Sequence, residues 1–267
     1  MTGEFFEHKR EWSRWKHRLL QRYLGQFFGI TRSTHKTVWF IDGFAGEGRY
    51  QNPPEDGSPV LAARIAAGMV AKSQGCRLRC INIEPDGYEA LCAATSEFGA
   101  EIVENRRGTF AENADAVLEL IGSDPALFFL DPCGHKGMEW DVVTRVLGRA
   151  RSGITEVLLN FFITKIDVHG GYLHSTEKQA SKFVTQLDRL FGTEAWRALW
   201  DGGKSQPERI AALTDLYMRR LSEAIVASAT HGIVSRYPVR TIGGDLKYYI
   251  LHGTGHRLDR SYDVGSR

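Results

Sequence analysis

Apolar residues fall along this chain in two rhythms that take turns. Short apolar runs stop abruptly at acidic or small residues: TVWFID at 37–42, RLRCINIE at 77–84, LFFLD at 127–131 and EVLLNFF at 156–162. Each has the length of a strand, and the run at 127–131 is apolar on both faces, as a central parallel strand is. Ile102 and Val103 predict a further short strand. Between the runs, apolar positions recur every three or four residues. In SPVLAARIAAGMVAK, Ser58 is an N-cap, Pro59 fits the first helical position, and Leu61, Ile65 and Met69 share a face. Helices are also predicted through Tyr88, Leu91, Cys92 and Thr95 with Gly99 as stop, over 112–121 with Gly122 as stop, and in MEWDVVTRVLGRA. Strand–helix alternation of this kind predicts a doubly wound, mostly parallel sheet.

The two ends of the chain depart from that rhythm. Trp12, Trp15, Leu19, Tyr23 and Phe27 predict a helix from about residue 7 to 28, so residues 1–30 read as an N-terminal helical segment and 31–267 as the sheet domain. Beyond residue 171 come helices at roughly 175–191, 193–200 and 206–229, a helical insertion at about 172–230 that forms a lid or a flanking layer. SRYPVRTIGG and DLKYYILHGTGH then read as two strands joined at Gly243, Gly244 and Asp245, an antiparallel hairpin. The expected fold class is α/β: a Rossmann-like, seven-stranded, mostly parallel sheet with an antiparallel C-terminal hairpin and extra helices.

Composition narrows the class without naming a chemistry. With 267 residues, 42% hydrophobic and 25% charged, the chain can bury the core of one large α/β domain. Its longest apolar runs fall well short of the ~20 residues of a membrane helix, so no membrane span is expected. MTGEFFEHKREW carries charge where a signal peptide is apolar, which points to the cytoplasm. Cys76, Cys80, Cys92 and Cys133 form no CxxC pair, so free thiols are expected rather than disulfides or a zinc site. A net charge of +2 neither demands nor excludes a nucleic-acid substrate.

Open parallel sheets bind ligands beyond the carboxyl ends of their strands. Here the first predicted strand ends in Asp42 and the FAGEG loop with Phe44, Ala45, Gly46 and Gly48; the second ends in Glu84 and Pro85. The third is followed by Thr109 and Phe110, the fourth by Asp131, Pro132 and Cys133, and the fifth ends in Asn160 and Phe161. Glycines admit close approach of a ligand to the backbone, and a carboxylate at the tip of the second strand can accept two hydrogen bonds from ribose hydroxyls. GxGxxG does not fit, and Glu84 lies about twice the ~20 residues from the loop that a dinucleotide fold uses. The combination favours S-adenosylmethionine over NAD. In that reading the FAGEG loop holds the methionine end, Glu84 the ribose, Thr109 and Phe110 the adenine region, and Asp131 the acceptor. Lys165 and Asp167, in a polar loop ITKIDVHGG, line the same mouth. His135, His169 and His174 match no familiar metal-ligand spacing.

The motifs DGFAGEGRY, GSP at 57–59, LDPCG at 130–134 followed by Trp140, NFF at 160–162 and the terminal YYILHGTGH together resemble the three-Cys-motif partner proteins (TcmP), a bacterial methyltransferase-like group. The resemblance runs from about Trp15 to His256. It implies a nucleoside-binding methyltransferase fold with S-adenosylmethionine as cofactor. It also implies a companion protein carrying a three-cysteine motif of the radical S-adenosylmethionine type. This chain has no CxxxCxxC, so the iron–sulfur cluster is expected in the companion. The family usually places an aromatic residue where this chain has Cys133. In the related Asp-Pro-Pro-Tyr motif that ring stacks on a base, so Phe161 or Phe162 would have to supply the stacking. Pyrimidine C5-methyltransferases instead use a Pro-Cys thiolate, which makes Cys133 a candidate nucleophile, with His135 and Lys136 as electropositive neighbours. Two readings of other classes stay open: a non-catalytic accessory subunit that recognises a nucleic acid or peptide for its companion, and a nucleotide hydrolase holding a metal on Asp42, Glu84 and Asp131.

Overall fold

In β1 (Thr37–Asp42) every side chain from Val38 to Asp42 is buried, Val38 and Phe40 into one apolar cluster, Trp39 and Ile41 into another. Successive residues of a strand point to opposite faces, so such a strand needs cover on both. The computed structural model describes residues 18–51, 54–70, 75–132, 134, 136–229 and 231–255. Its main sheet has seven strands. Their order is β5 (Val103–Arg107), β4 (Arg77–Glu84), β1, β6 (Ala126–Leu130), β7 (Thr155–Phe161), β9 (Leu246–Thr254) and β8 (Ile233–Arg240). From β5 to β7 the pairs are parallel; β9 is antiparallel to β7 and to β8. This is the strand order of the Rossmann-like methyltransferase fold. The chain leaves β1 toward β4 and β5, then crosses back to β6 and proceeds the other way, so the sheet reverses between β1 and β6. A crevice opens beyond the strand ends at such a reversal.

One face is covered by helix α1 (described over 18–31) through Leu20, Leu24, Phe27 and Phe28, and by α2 (Ser58–Val70) through Ala62, Ala63 and Ala66. The other is covered by α4 (Phe110–Ile121), α5 (Trp140–Gly148), α7 (Ala180–Phe191), α8 (Ala195–Asp201) and α9 (Gln206–Val226), which share a core cluster. The predicted stripe of α1 packs as expected at Tyr23 and Phe27, and Trp12 and Trp15 lie outside the described residues. The Tyr23 hydroxyl donates to Glu156 of β7 and accepts from His252 Nε2 of β9 at 2.7 Å. One proton serves one acceptor, so His252 carries its proton on Nε2. Among the described residues no helix is long and apolar enough to cross a membrane.

Three stretches fold differently from their sequence pattern. The polar, proline-containing segment after the glycine loop, for which no strand was predicted, makes a small antiparallel pair, β2 (Arg49–Gln51) with β3 (Pro54–Asp56), where Arg64 reaches Asp56 at 2.9 Å. Strand β5 runs on through the polar ENRR, because it pairs at the edge of the sheet and needs apolar cover only at Val103. ITKIDVHGG is a helix, α6 (Ile163–Gly170), not a loop. Ile163, Ile166 and Asp167 form its buried side, and Asp167 accepts from Arg209 Nε at 2.9 Å and Gln206 Nε2 at 3.1 Å. The expectation that Asp167 lines the mouth is therefore corrected: its carboxylate is turned into the body of the protein to fix α6 on α9.

Arg149 was not conspicuous in the sequence, yet it holds the lower end of the sheet. It is 7% exposed and donates to Gly122 O at 2.9 Å, Ile154 O at 3.2 Å, Thr155 Oγ1 at 3.0 Å and Asp124 O. It thus satisfies carbonyls left open where α4 ends and β7 begins, and burial pulls its pKa down to about 10, still charged at neutral pH. Arg149→Met keeps the volume and strands those carbonyls. It is expected to lower unfolding free energy by about 3 kcal/mol or more, read from the urea midpoint; a loss below ~1 kcal/mol would mean that water replaces the guanidinium at no cost.

Candidate functional site

The glycine loop that follows β1 spends its amides mostly on the neighbouring strands β6 and β4. Gly43 N–H donates to Phe129 O at 3.0 Å, Phe44 N–H to Asp42 Oδ1 at 3.1 Å, Ala45 N–H to Ile83 O at 3.1 Å and Gly46 N–H to Glu84 Oε2 at 2.9 Å. A phosphate-binding nest needs such amides turned outward to the anion. These four are turned inward, so the loop is a rigid turn and not a phosphate cradle. Two of its glycines have steric reasons. A Cβ at Gly43 would stand 2.8 Å from Leu130 Cδ2, whereas Gly46 adopts φ +61° with nothing within 4 Å of the corresponding position. Gly46 therefore faces open space on the loop's outer side. Phe44 is half-buried beside it; Ala45, Gly48 and Asp42 are buried.

Glu84 ties that loop to the next one. Its Oε1 accepts from the N–H groups of Asp86 at 2.9 Å and Gly87 at 2.8 Å, while Oε2 accepts from Gly46. A carboxylate offers about four acceptor positions, so after these three bonds room for one more remains. The side chain is half-buried at the tip of β4, with Pro85 exposed beside it. The sequence pointed to this carboxylate as a ribose acceptor; its service to the backbone was not foreseen.

Thr109 and Phe110 are placed where the sequence put them, but with other duties. Thr109 is the N-cap of α4: its Oγ1 accepts from Glu112 N–H at 3.3 Å, and Glu112 accepts from Thr109 N–H at 2.7 Å. This capping box starts the helix two residues before the predicted start at 112. Phe110 is 1% exposed and packs between Phe44 and Phe128. Its expected contact with an adenine is corrected to a supporting one, because the ring lies under the Gly43 backbone.

On the other side of the reversal, β6 and β7 pair with Leu130 opposite Leu159, so the next residues, Asp131 and Asn160, emerge side by side. Asn160 is buried, and its Nδ2 donates to Asp131 Oδ1 at 2.5 Å. Its own Oδ1 is buried and has no hydrogen-bond partner among the described residues. Asp131 is half-buried and Pro132 buried; Cys133 and His135 lie outside the described residues. Phe161 is 2% exposed and stacked on Tyr217 at 4.5 Å, so the expectation that it meets a substrate is corrected: the core has claimed it. Phe162, half-buried, carries Lys165 Nζ over its ring at 5.3 Å.

Beyond these ends lies a cavity of about 530 Å³. Gly134 and Lys136, just after β6, form one wall; Thr164, Lys165 and His169 form another; Phe183 and Gln186 of α7 form the third. Residues 164, 165, 168 and 169 share one face of α6, opposite the buried side at 163, 166 and 167. The spacing was present in the sequence, but it becomes a signal only once the segment is known to be helical. Burial lowers the His169 pKa, and Lys165 lowers it further; the ring lies tilted against Phe183 with centroids 4.3 Å apart. Among the described residues no three of His, Cys, Asp and Glu gather as a metal site would need. Asp42, Glu84 and Asp131 thus do not converge as the hydrolase reading requires.

No family model matches the chain, and no curated protein does. Solved structures that match at low identity include WbdD, at 12% identity and a TM-score of 0.44 over 90% of this chain and 40% of that one. Protein LPL1258 from Legionella pneumophila matches at 12% identity and a TM-score of 0.46, over 88% of this chain and 83% of that one. Fibrillarin from Aeropyrum pernix, in complex with natively bound S-adenosyl-L-methionine, matches at 12% identity and a TM-score of 0.36, over 81% of this chain and 66% of that one. This chain spans 40% of the length of the WbdD chain that it matches.

Proposed function

We propose that this protein is an S-adenosylmethionine-dependent methyltransferase of the three-Cys-motif partner type, working beside a three-Cys-motif companion. The cofactor lies between the outer side of Gly46 and Glu84, and the acceptor is presented at Asp131. The observation that carries the reading is the Glu84 carboxylate, bonded to Gly46, Asp86 and Gly87 at the sheet reversal with one acceptor position left. A ribose hydroxyl is the donor such a position suits. The inward-turned loop amides disfavour a pyrophosphate and leave a compact surface against which a nucleoside thioether can pack.

S-adenosylmethionine, when bound, supplies a methyl group already activated by its sulfonium. What remains for the chain is alignment and, where the acceptor must shed a proton, a nearby base. Asn160 fixes one oxygen of Asp131 through its Nδ2, so the carboxylate is held in one orientation at the strand end. Asp131 then orients an acceptor N–H or O–H and receives its proton. With Phe161 buried, Phe162 is the ring that could support a planar acceptor.

Calorimetric titration with S-adenosylhomocysteine is expected to show micromolar binding, about −8 kcal/mol, weakened at least tenfold by Glu84→Ala. No heat and no thermal shift with either S-adenosylhomocysteine or S-adenosylmethionine would sink the reading. Asp131→Ala is expected to leave that binding within about twofold while cutting methyl transfer at least ~100-fold. Transfer is followed with labelled S-adenosylmethionine and a mixed pool of nucleic acids, peptides and metabolites. Cofactor binding with no transfer by the unaltered protein would favour the accessory-subunit reading.

A further inference from the structure

Beside the glycine loop, two arginines and two acids close a ring. Arg64 Nε meets Asp56 Oδ2 at 2.9 Å, and Arg64 Nη2 meets Glu97 Oε1 at 3.4 Å. Arg49 Nη2 meets the same Glu97 oxygen at 2.5 Å, and Arg49 Nε meets Asp56 Oδ1 at 3.5 Å. Each guanidinium reaches both carboxylates, and the four side chains come from four segments: β2, β3, α2 and the turn after α3 (Tyr88–Thr95). An exposed ion pair by itself contributes little. In a closed ring, however, loss of one cation leaves both carboxylates on the other. The same segments hold the exit of the glycine loop. Gly57 N–H donates to Gly48 O at 2.8 Å. Gly48 has φ +78°, and a Cβ there would stand 2.9 Å from Ala94 Cβ of α3. One residue earlier, Glu47 lies against the turn after β4, where a Cβ on Gly87 would stand 3.0 Å from Glu47 Cγ.

We propose that Arg49 and Arg64 are positioning residues for the cofactor: with Asp56 and Glu97 they hold the β2–β3 pair on α2 and α3, and so fix the Gly46–Gly48 turn against which the cofactor packs. The inference rests on the methyltransferase reading for what binds there, but not for the ring. The action passes through the backbone. Arg49 directly follows Gly48 and Asp56 directly precedes Gly57, and the two are partners in the β2–β3 register. The ring therefore closes the same strand ends that the Gly57–Gly48 hydrogen bond joins. Holding that joint on α3 keeps the Gly46 amide on Glu84 before the cofactor arrives, which lowers the ordering cost of binding.

The test is hydrogen exchange on the ligand-free full chain, followed by calorimetric titration with S-adenosylhomocysteine. Arg64→Gln and Glu97→Gln are each expected to speed exchange of the Gly46 and Gly57 amides about threefold or more. The amides of β1 keep their protection, and the thermal midpoint stays within about 2 °C of the parent. The same variants are expected to weaken S-adenosylhomocysteine about threefold or more. Arg49→Glu with Arg64→Glu sets four acids together and is expected to weaken it further. Adding Asp56→Lys and Glu97→Lys restores the alternation with its signs exchanged, and is expected to return exchange and affinity to within about twofold of the parent. Variants that exchange and bind as the parent does overturn the inference, as does a loss that the inverted ring fails to recover. Faster exchange at an unchanged affinity for S-adenosylhomocysteine overturns the positioning role and leaves the methyltransferase reading standing. A parent that binds no S-adenosylhomocysteine removes that reading, and the positioning role with it.

Discussion

A parallel sheet buried on both faces can meet a polar ligand only where its strands stop. In this protein β1, β6 and β7 are buried along nearly their whole length, so their flanks have no room for chemistry and all of it is pushed to the carboxyl ends. Strand order then does the rest. With β4 on one side of β1 and β6 on the other, the crossovers diverge, and Gly46, Glu84 and Asp131 each stand at or just beyond the carboxyl end of one of these three strands.

The polar groups around the sheet are not all satisfied alike. On the β1–β4 side the backbone is sewn up: four loop amides find acceptors inside the protein, and Glu84 gathers three amides from two loops. Such a surface is pre-organised, and it can hold a ligand in one orientation with little ordering cost. Elsewhere some groups keep capacity, among them Asn82 Oδ1 on β4 itself. Asn160 and Gln186 each keep a buried oxygen without a partner among the described residues, which is costly unless a ligand or water fills the role.

Helix α6 makes one wall of the cavity beyond β6 and β7. It is held from behind by the Asp167 carboxylate on Arg209 and Gln206, by Trp200 Nε1 on Asp167 O at 3.1 Å, and by Gly170, whose missing Cβ admits the Trp200 ring. A buried aspartate without its arginine is strongly unfavourable, so the α8–α9 layer behind α6 keeps Lys165 and His169 aimed at the cavity. What the sequence offered as a lid or flanking layer is thus, in part, the support of a wall.

By itself the sequence determined the alternation of strands and helices, the terminal hairpin, the glycine turn and the acids at the strand tips. These are local properties: apolar period, cap residues and turn residues act over a few positions. It could not determine how each polar group spends its hydrogen bonds, because the partners are distant in the chain. Phe110 and Phe161 read as ligand contacts and belong to the core, and Asp167 read as a mouth residue and belongs to an ion pair, since burial depends on what packs opposite. ITKIDVHGG shows the same limit at the level of an element. Its few apolar residues do not announce a helix, and only the face offered by α9, with Arg209 waiting for a carboxylate, makes one. The tertiary structure alone decided that Lys136, Lys165, His169, Phe183 and Gln186 meet around one cavity, because three separate segments must pack before that space exists.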